Sequence, residues 1–189
     1  MTEPKQIATL PPIEEISGDV PRSPRTGEPR RPAVVLVAAV ASYLAVAALA
    51  FAYGWHWYRA VYPATYPGSS RLVRWIEPDP GKWLSLTLEG ALAVALIVAA
   101  GAVGVAGFQA WNGWPWSRWM ALAGVVLTAG FTAITNDYGY IGLGLAVVVA
   151  VLTFLPRTYY QQWRDIRAER TEPYRRPDGI FYGRLPRYR

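Results

Sequence analysis

The stretch Ala33 to Tyr53 reads AVVLVAAVASYLAVAALAFAY, 21 residues without a single charge. At 1.5 Å of rise per residue a helix of that length spans roughly 30 Å, the thickness of a bilayer's hydrocarbon core. A cleaved signal peptide is the rival reading, because Ala48-Leu49-Ala50 has a small-x-small pattern. Such signals have short leaders and apolar cores of about 7 to 15 residues, whereas 32 residues precede this stretch. It is therefore expected to remain as an uncleaved membrane span.

Three further apolar segments follow. The second, 84–110, holds one ionisable residue, Glu89, near its start, and its length implies tilt or an interfacial first turn. The third and fourth, 119–135 and 140–155, are together too long for one crossing. Asn136-Asp137-Tyr138-Gly139 lies between them. Asn and Asp satisfy local backbone groups there and Gly permits positive φ, so these segments are expected to form an antiparallel hairpin. The fold class is thus an all-α integral membrane protein with four transmembrane helices in residues 33–155. An outer loop, 54–83, joins the first two spans.

Aromatic and charged residues give two independent checks. Trp and Tyr prefer the headgroup level, and eight of the nine tryptophans fall near predicted span ends, Trp75 being the exception. Basic loops are retained in the cytoplasm. The two tails and Arg118 carry fifteen of the nineteen Lys and Arg residues (five, nine and one), which places both termini inside. Arg59, Arg71, Arg74 and Lys82 fall on the outer side, an unusually basic complement for an outer loop.

Composition agrees, with 52% apolar and only 17% charged residues, and the charge lies before, between or after the apolar stretches. With no cysteine and a single histidine, His56, disulfides, thiolate metal sites and cysteine nucleophiles are excluded, and no metal or cofactor is expected. The abundance of Ala, Gly, Val, Pro, Trp and Arg reads as a GC-rich genome, so the preference for Arg over Lys carries no nucleic-acid reading. In style and layout across its whole length the chain resembles the uncharacterised small multi-span membrane proteins of high-GC actinobacteria. That resemblance implies a bacterial inner (plasma) membrane with an anionic cytoplasmic leaflet, and it transfers no site residues.

The tails differ in character. Residues 1–32 hold seven of the sixteen prolines and balance five basic against five acidic residues, so a disordered cytoplasmic tail is expected. Its aliphatic segment Ile7 to Ile16 is a candidate docking motif. Residues 156–189 form a basic cytoplasmic tail with nine arginines against four acids. Arg157, Arg164, Arg167, Arg170, Arg175 and Arg176 are expected to lie on anionic lipid. Within this tail Thr158 to Arg170 reads as a short interfacial helix with Tyr159, Trp163 and Ile166 on one face.

In the outer loop, Ser69 or Ser70 is expected to cap a short helix through Ile76, stopped by Pro78 and Pro80. His56 sits between Trp55 and Trp57 and reads as an interfacial anchor rather than a base or ligand. Glu89 is the candidate functional acid, because a carboxylate within a span is costly. It lies about 9 Å of helix rise beyond Trp83, shallow enough to reach the headgroups, with Arg59, Arg74 or Lys82 as its expected partner. Asp137 reads as a turn residue. Gly90, Gly101, Gly104, Gly107, Gly124, Gly139, Gly142 and Gly144 permit close helix approach, within this bundle or toward neighbours.

The function expected from these features is a non-enzymatic accessory or scaffold subunit of a larger bacterial membrane complex. Its partners would be lipid and other membrane subunits or copies of itself, with no nucleic acid. The alternative is a small oligomeric transporter or channel with Glu89 facing a polar path.

Overall fold

The computed structural model describes residues 30–154 and Trp163. Among them the regular structure is helical: α1 (Ala33–Ala60), a 3-10 turn (Tyr66–Gly68), α2 (Arg71–Ile76), α3 (Trp83–Asn112), α4 (Ser117–Ile134) and α5 (Gly139–Phe154). Three of these, α1, α3 and α4, are long and apolar enough to cross a membrane, whereas α5 is apolar but shorter. The expected tail segments, the docking motif at Ile7 to Ile16, the interfacial helix except Trp163, and the six tail arginines named above lie outside the described residues.

α1 runs well beyond the apolar stretch that defines it. Hydropathy falls after Tyr53, yet nothing in Gly54-Trp-His-Trp-Tyr-Arg-Ala60 breaks a helix, and the chain turns only on approaching Pro63. His56 is consequently a helical residue and not part of a loop that begins at Gly54. At the far end of α3, Gly113 adopts φ 75°, and the backbone N–H of Trp114 reaches Gln109 O at 3.0 Å. Such a left-handed closure favours glycine, and it reverses the chain into α4 within four residues.

The four long helices pack as a square. α1 lies against α3 and α5, and α4 lies against the same two, so α1 and α4 occupy opposite corners. Each inward face repeats at alternating steps of three and four. On α1 it is Ala38, Ser42, Ala45, Leu49, Ala52 and His56; on α4 it is Ser117, Ala121, Gly124, Thr128 and Phe131. This is the seam of a left-handed helical bundle, in which side chains of one helix sit in hollows of the next. The interior is layered. Ala41, Ala106, Ala121 and Val149 form one layer, Ala45, Val103 and Ala146 the next, and Leu49, Ala52, Ala99 and Phe131 the third.

Alanine and glycine dominate these layers, so helix backbones approach closely. A Cβ placed on Gly142 would lie 2.7 Å from Leu49 Cδ2, and one on Gly124 would lie 3.0 Å from Val103 Cγ2. Lipid tails are as apolar as Leu, so close van der Waals packing, not hydrophobic burial, holds such helices together. Of the eight glycines marked in the sequence, Gly107, Gly124, Gly139 and Gly142 are crowded by neighbours, whereas Gly90, Gly101 and Gly144 have no such neighbour within 4 Å.

The 61–82 segment closes one end of the bundle, hereafter the loop end. Ser70 caps α2, its hydroxyl accepting from Val73 N at 3.2 Å, and α2 ends at Glu77, whose left-handed φ of 50° precedes Pro78. Replacing Ser70 with Ala is expected to destabilise this short helix by about 1 kcal/mol. The readout is faster hydrogen exchange at the Val73 amide with an unaltered melting temperature for the bundle. At the opposite end Arg31 stacks over Trp111 at 4.4 Å, and Trp163 is buried against Val35 beside Trp111.

Candidate functional site

Two polar clusters occupy the loop end. In the first, the inward seam of α1 terminates in His56, which is fully buried, and α3 brings Glu89 to it within its second turn. His56 Nε2 and Glu89 Oε2 are 2.8 Å apart. With the carboxylate accepting, the hydrogen sits on Nε2, the tautomer that this bond selects. The remaining atoms of the pair, His56 Nδ1 and Glu89 Oε1, are buried without a hydrogen-bond partner. The bond ties the C-terminal end of α1 to the N-terminal end of α3.

The expected basic partners of Glu89 are not the ones it has. Lys82 pairs with Asp79, and Arg59 and Arg74 point into the second cluster. His56 takes the place assigned to them because the extension of α1 keeps it on the helix seam. Tyr53 flanks the imidazole at 5.9 Å between ring centroids. Tyr66, from the 3-10 turn, lies with Ser85 and Glu89 along a cavity of about 210 Å³. Burial chiefly holds the Tyr66 phenol above its ordinary pKa. The Ser85 hydroxyl pulls the other way, and the charge of Glu89 adds to the rise. Tyr66 therefore stays protonated at neutral pH, and its buried hydroxyl has no hydrogen-bond partner among the described residues.

The second cluster surrounds a cleft of about 540 Å³ between the last turn of α1, the N-terminal part of α2 and the α4–α5 turn. Arg71 is its fixed wall. Its Nη1 donates to Thr132 O at 2.7 Å, its Nη2 pairs with Asp137, and the guanidinium covers the Tyr140 ring at 5.4 Å. The backbone reinforces this junction, with Arg71 N donating to Thr135 O at 2.8 Å. Asn136 bridges from the turn to α1 by donating to Ala52 O at 2.8 Å, and its own carbonyl accepts from Tyr138 N at 3.1 Å. Asp137 is thus a turn residue, as read from the sequence, and an ion-pair partner as well.

Neither the convergence of Arg59, Arg71 and Arg74 nor the His56–Glu89 bond is visible in local sequence. The wall that completes the arginine cleft comes from far along the chain, Asp137 lying 66 residues from Arg71, and His56 and Glu89 are 33 residues apart. One signal was present: His56 continues the three-four spacing of small residues on α1. Among the described residues no group of three or more His, Cys, Asp or Glu side chains is placed to hold a metal ion. No protein-family model, curated protein or solved structure matches the chain.

Proposed function

We propose that this chain is a non-enzymatic accessory or scaffold subunit of a larger membrane assembly, embedded in a bacterial plasma membrane. Its four long helices each cross the bilayer, both termini are cytoplasmic, and the basic tail rests on anionic lipid. α5 supplies the fourth crossing with its sixteen residues, about 24 Å of rise.

The observation that carries the reading is the outward face of α3. Gly90, Val94, Ile97, Gly101, Val105 and Phe108 are all exposed and repeat at steps of three and four, as the inward seam does. Large side chains alternate there with two glycine hollows that no described residue fills. That is the form of a helix surface that accepts another helix. Replacing Gly101 with Leu fills one hollow, where an added Cβ meets no described residue within 4 Å. The variant is expected to fold and melt as the wild type while losing its co-migrating partner subunits on native gels after mild extraction. Retention of the whole assembly by the variant would sink the proposal.

A second reading, a small proton- or cation-coupled carrier, is favoured by one observation: the unpartnered buried atoms of the His56–Glu89 pair beside a cavity. Replacing Glu89 with Gln separates the two. An accessory subunit stays assembled and working, whereas a carrier loses transport in proteoliposomes.

A further inference from the structure

The outer-side arginines are an anomaly of topology that the fold turns into a site. Three of the four basic residues between the first two spans, Arg59, Arg71 and Arg74, line the single 540 Å³ cleft at the loop end, and the fourth, Lys82, is paired with Asp79 outside it. Asp137 is the one carboxylate among the cleft's lining residues, so the lining carries a net charge of +2. Its attention is taken up by Arg71. The guanidinium groups of Arg59 and Arg74 make no ion pair or hydrogen bond with any described residue.

Arg59 is nevertheless positioned. Its Nη2 lies 3.0 Å from where a Cβ of residue 68 would stand, so Gly68 leaves room for the guanidinium to lie against the backbone. Both residues sit in the last turn of a helix, where a cation is favoured by the dipole. That accounts for a positive charge at each position but not for their convergence on one cavity. The volume falls within the range of small-molecule sites and exceeds the needs of a bare ion. A guanidinium presents a planar fork of donors that matches a phosphate in two-point contact.

The walls indicate the kind of phosphate. Trp55 and Tyr138 line the cleft, with ring centroids 5.3 Å apart, and Phe51 continues the cluster at 5.3 Å from Tyr138. Phe51 lies one turn closer to the middle of α1 and faces outward. An aromatic track therefore leads from the charged cleft down the membrane-facing side of α1. We infer that the cleft binds an organic phosphate through Arg59 and Arg74, and that its source is an anionic phospholipid whose chains run along Trp55 and Phe51.

The test uses the full-length protein in mild detergent, titrated with phosphatidylglycerol in one arm and soluble glycerol phosphate in the other, with bound species counted by native mass spectrometry. The double variant R59Q/R74Q is compared with K82Q/R118Q, which removes the same charge outside the cleft and controls for the general loss of positive charge. The cleft variant is expected to weaken the tightest phosphatidylglycerol site about tenfold or more, since two charge-assisted contacts are lost, while the control changes it less than about twofold. Gly68→Val, which crowds Arg59 without altering charge, is expected to weaken the same site and serves if the double variant does not fold. Cleft-dependent binding of glycerol phosphate without phosphatidylglycerol binding would keep the phosphate site and overturn the lipid source. Equal affinity in the cleft and control variants would overturn the site itself.

Discussion

Replacing Gly107 with alanine is expected to destabilise the bundle by about 3 kcal/mol, the upper end of what one inserted methyl group does in a packed interior. The new Cβ would lie 1.7 Å from Ser42 Oγ and 2.6 Å from Ser42 Cβ. Rotating Ser42 relieves only the first contact, because Cβ is fixed to the backbone. α1 and α3 must then separate, and the contacts between them weaken together. Reversible unfolding in mixed micelles measures the loss. The companion change Ser42→Gly removes both offending atoms and leaves Ala39 Cα at 3.7 Å, an ordinary contact. By itself it is expected to cost about 1 kcal/mol for a glycine within a helix. The double variant S42G/G107A should recover most of the stability lost by G107A. Simple addition of the two single losses would show that the clash is not the cause.

The second large effect concerns the bond across the loop end. Replacing Glu89 with Ala leaves both ring nitrogens of the buried His56 without a partner, and an orphaned buried donor costs about 1–3 kcal/mol. Gln at 89 retains an oxygen that accepts from Nε2–H, so its loss should stay under about 1 kcal/mol. Removing both polar groups together, as in H56L/E89L, is expected to lie closer to the wild type than Glu89→Ala does, because no group is then stranded. Equal melting temperatures for the Ala and Gln variants would show that the bond contributes nothing to the fold.

These two expectations divide along what the sequence discloses. The apolar helices, the reversal at Asn136 to Gly139 and the Ser70 cap with its stop at Pro78 are all local, each set by side chains within a few residues of the backbone groups they satisfy. The close approach at Gly107 is half legible: glycine announces proximity, but only the packed helices identify Ser42 as the neighbour. For His56, sequence and structure part for a physical reason. Hydropathy marks where lipid gives way to headgroups, whereas a helix ends where its hydrogen bonds end, and in α1 the two points lie seven residues apart, at Tyr53 and Ala60. Once the helix is carried through, the imidazole falls on the inward seam and meets Glu89. The arginine cleft had no local trace, since its walls come from three elements joined by the Arg71–Asp137 pair. What the sequence displayed there was an imbalance of charge, which is a statement about topology until the chain is folded.

The alanine layers between α1, α3, α4 and α5 also determine how this protein responds to systematic mutagenesis. Alanine scanning locates a soluble core by trimming large side chains, and here the innermost positions of the first two layers are already alanine or valine. Such a scan registers Val103 and Val149 there and Leu49, Leu92 and Phe131 elsewhere, and passes over the alanines between them. Those alanine positions are mapped only by adding atoms. Sequence drift at these sites is correspondingly one-sided, because nearly every available replacement is larger than the residue it displaces.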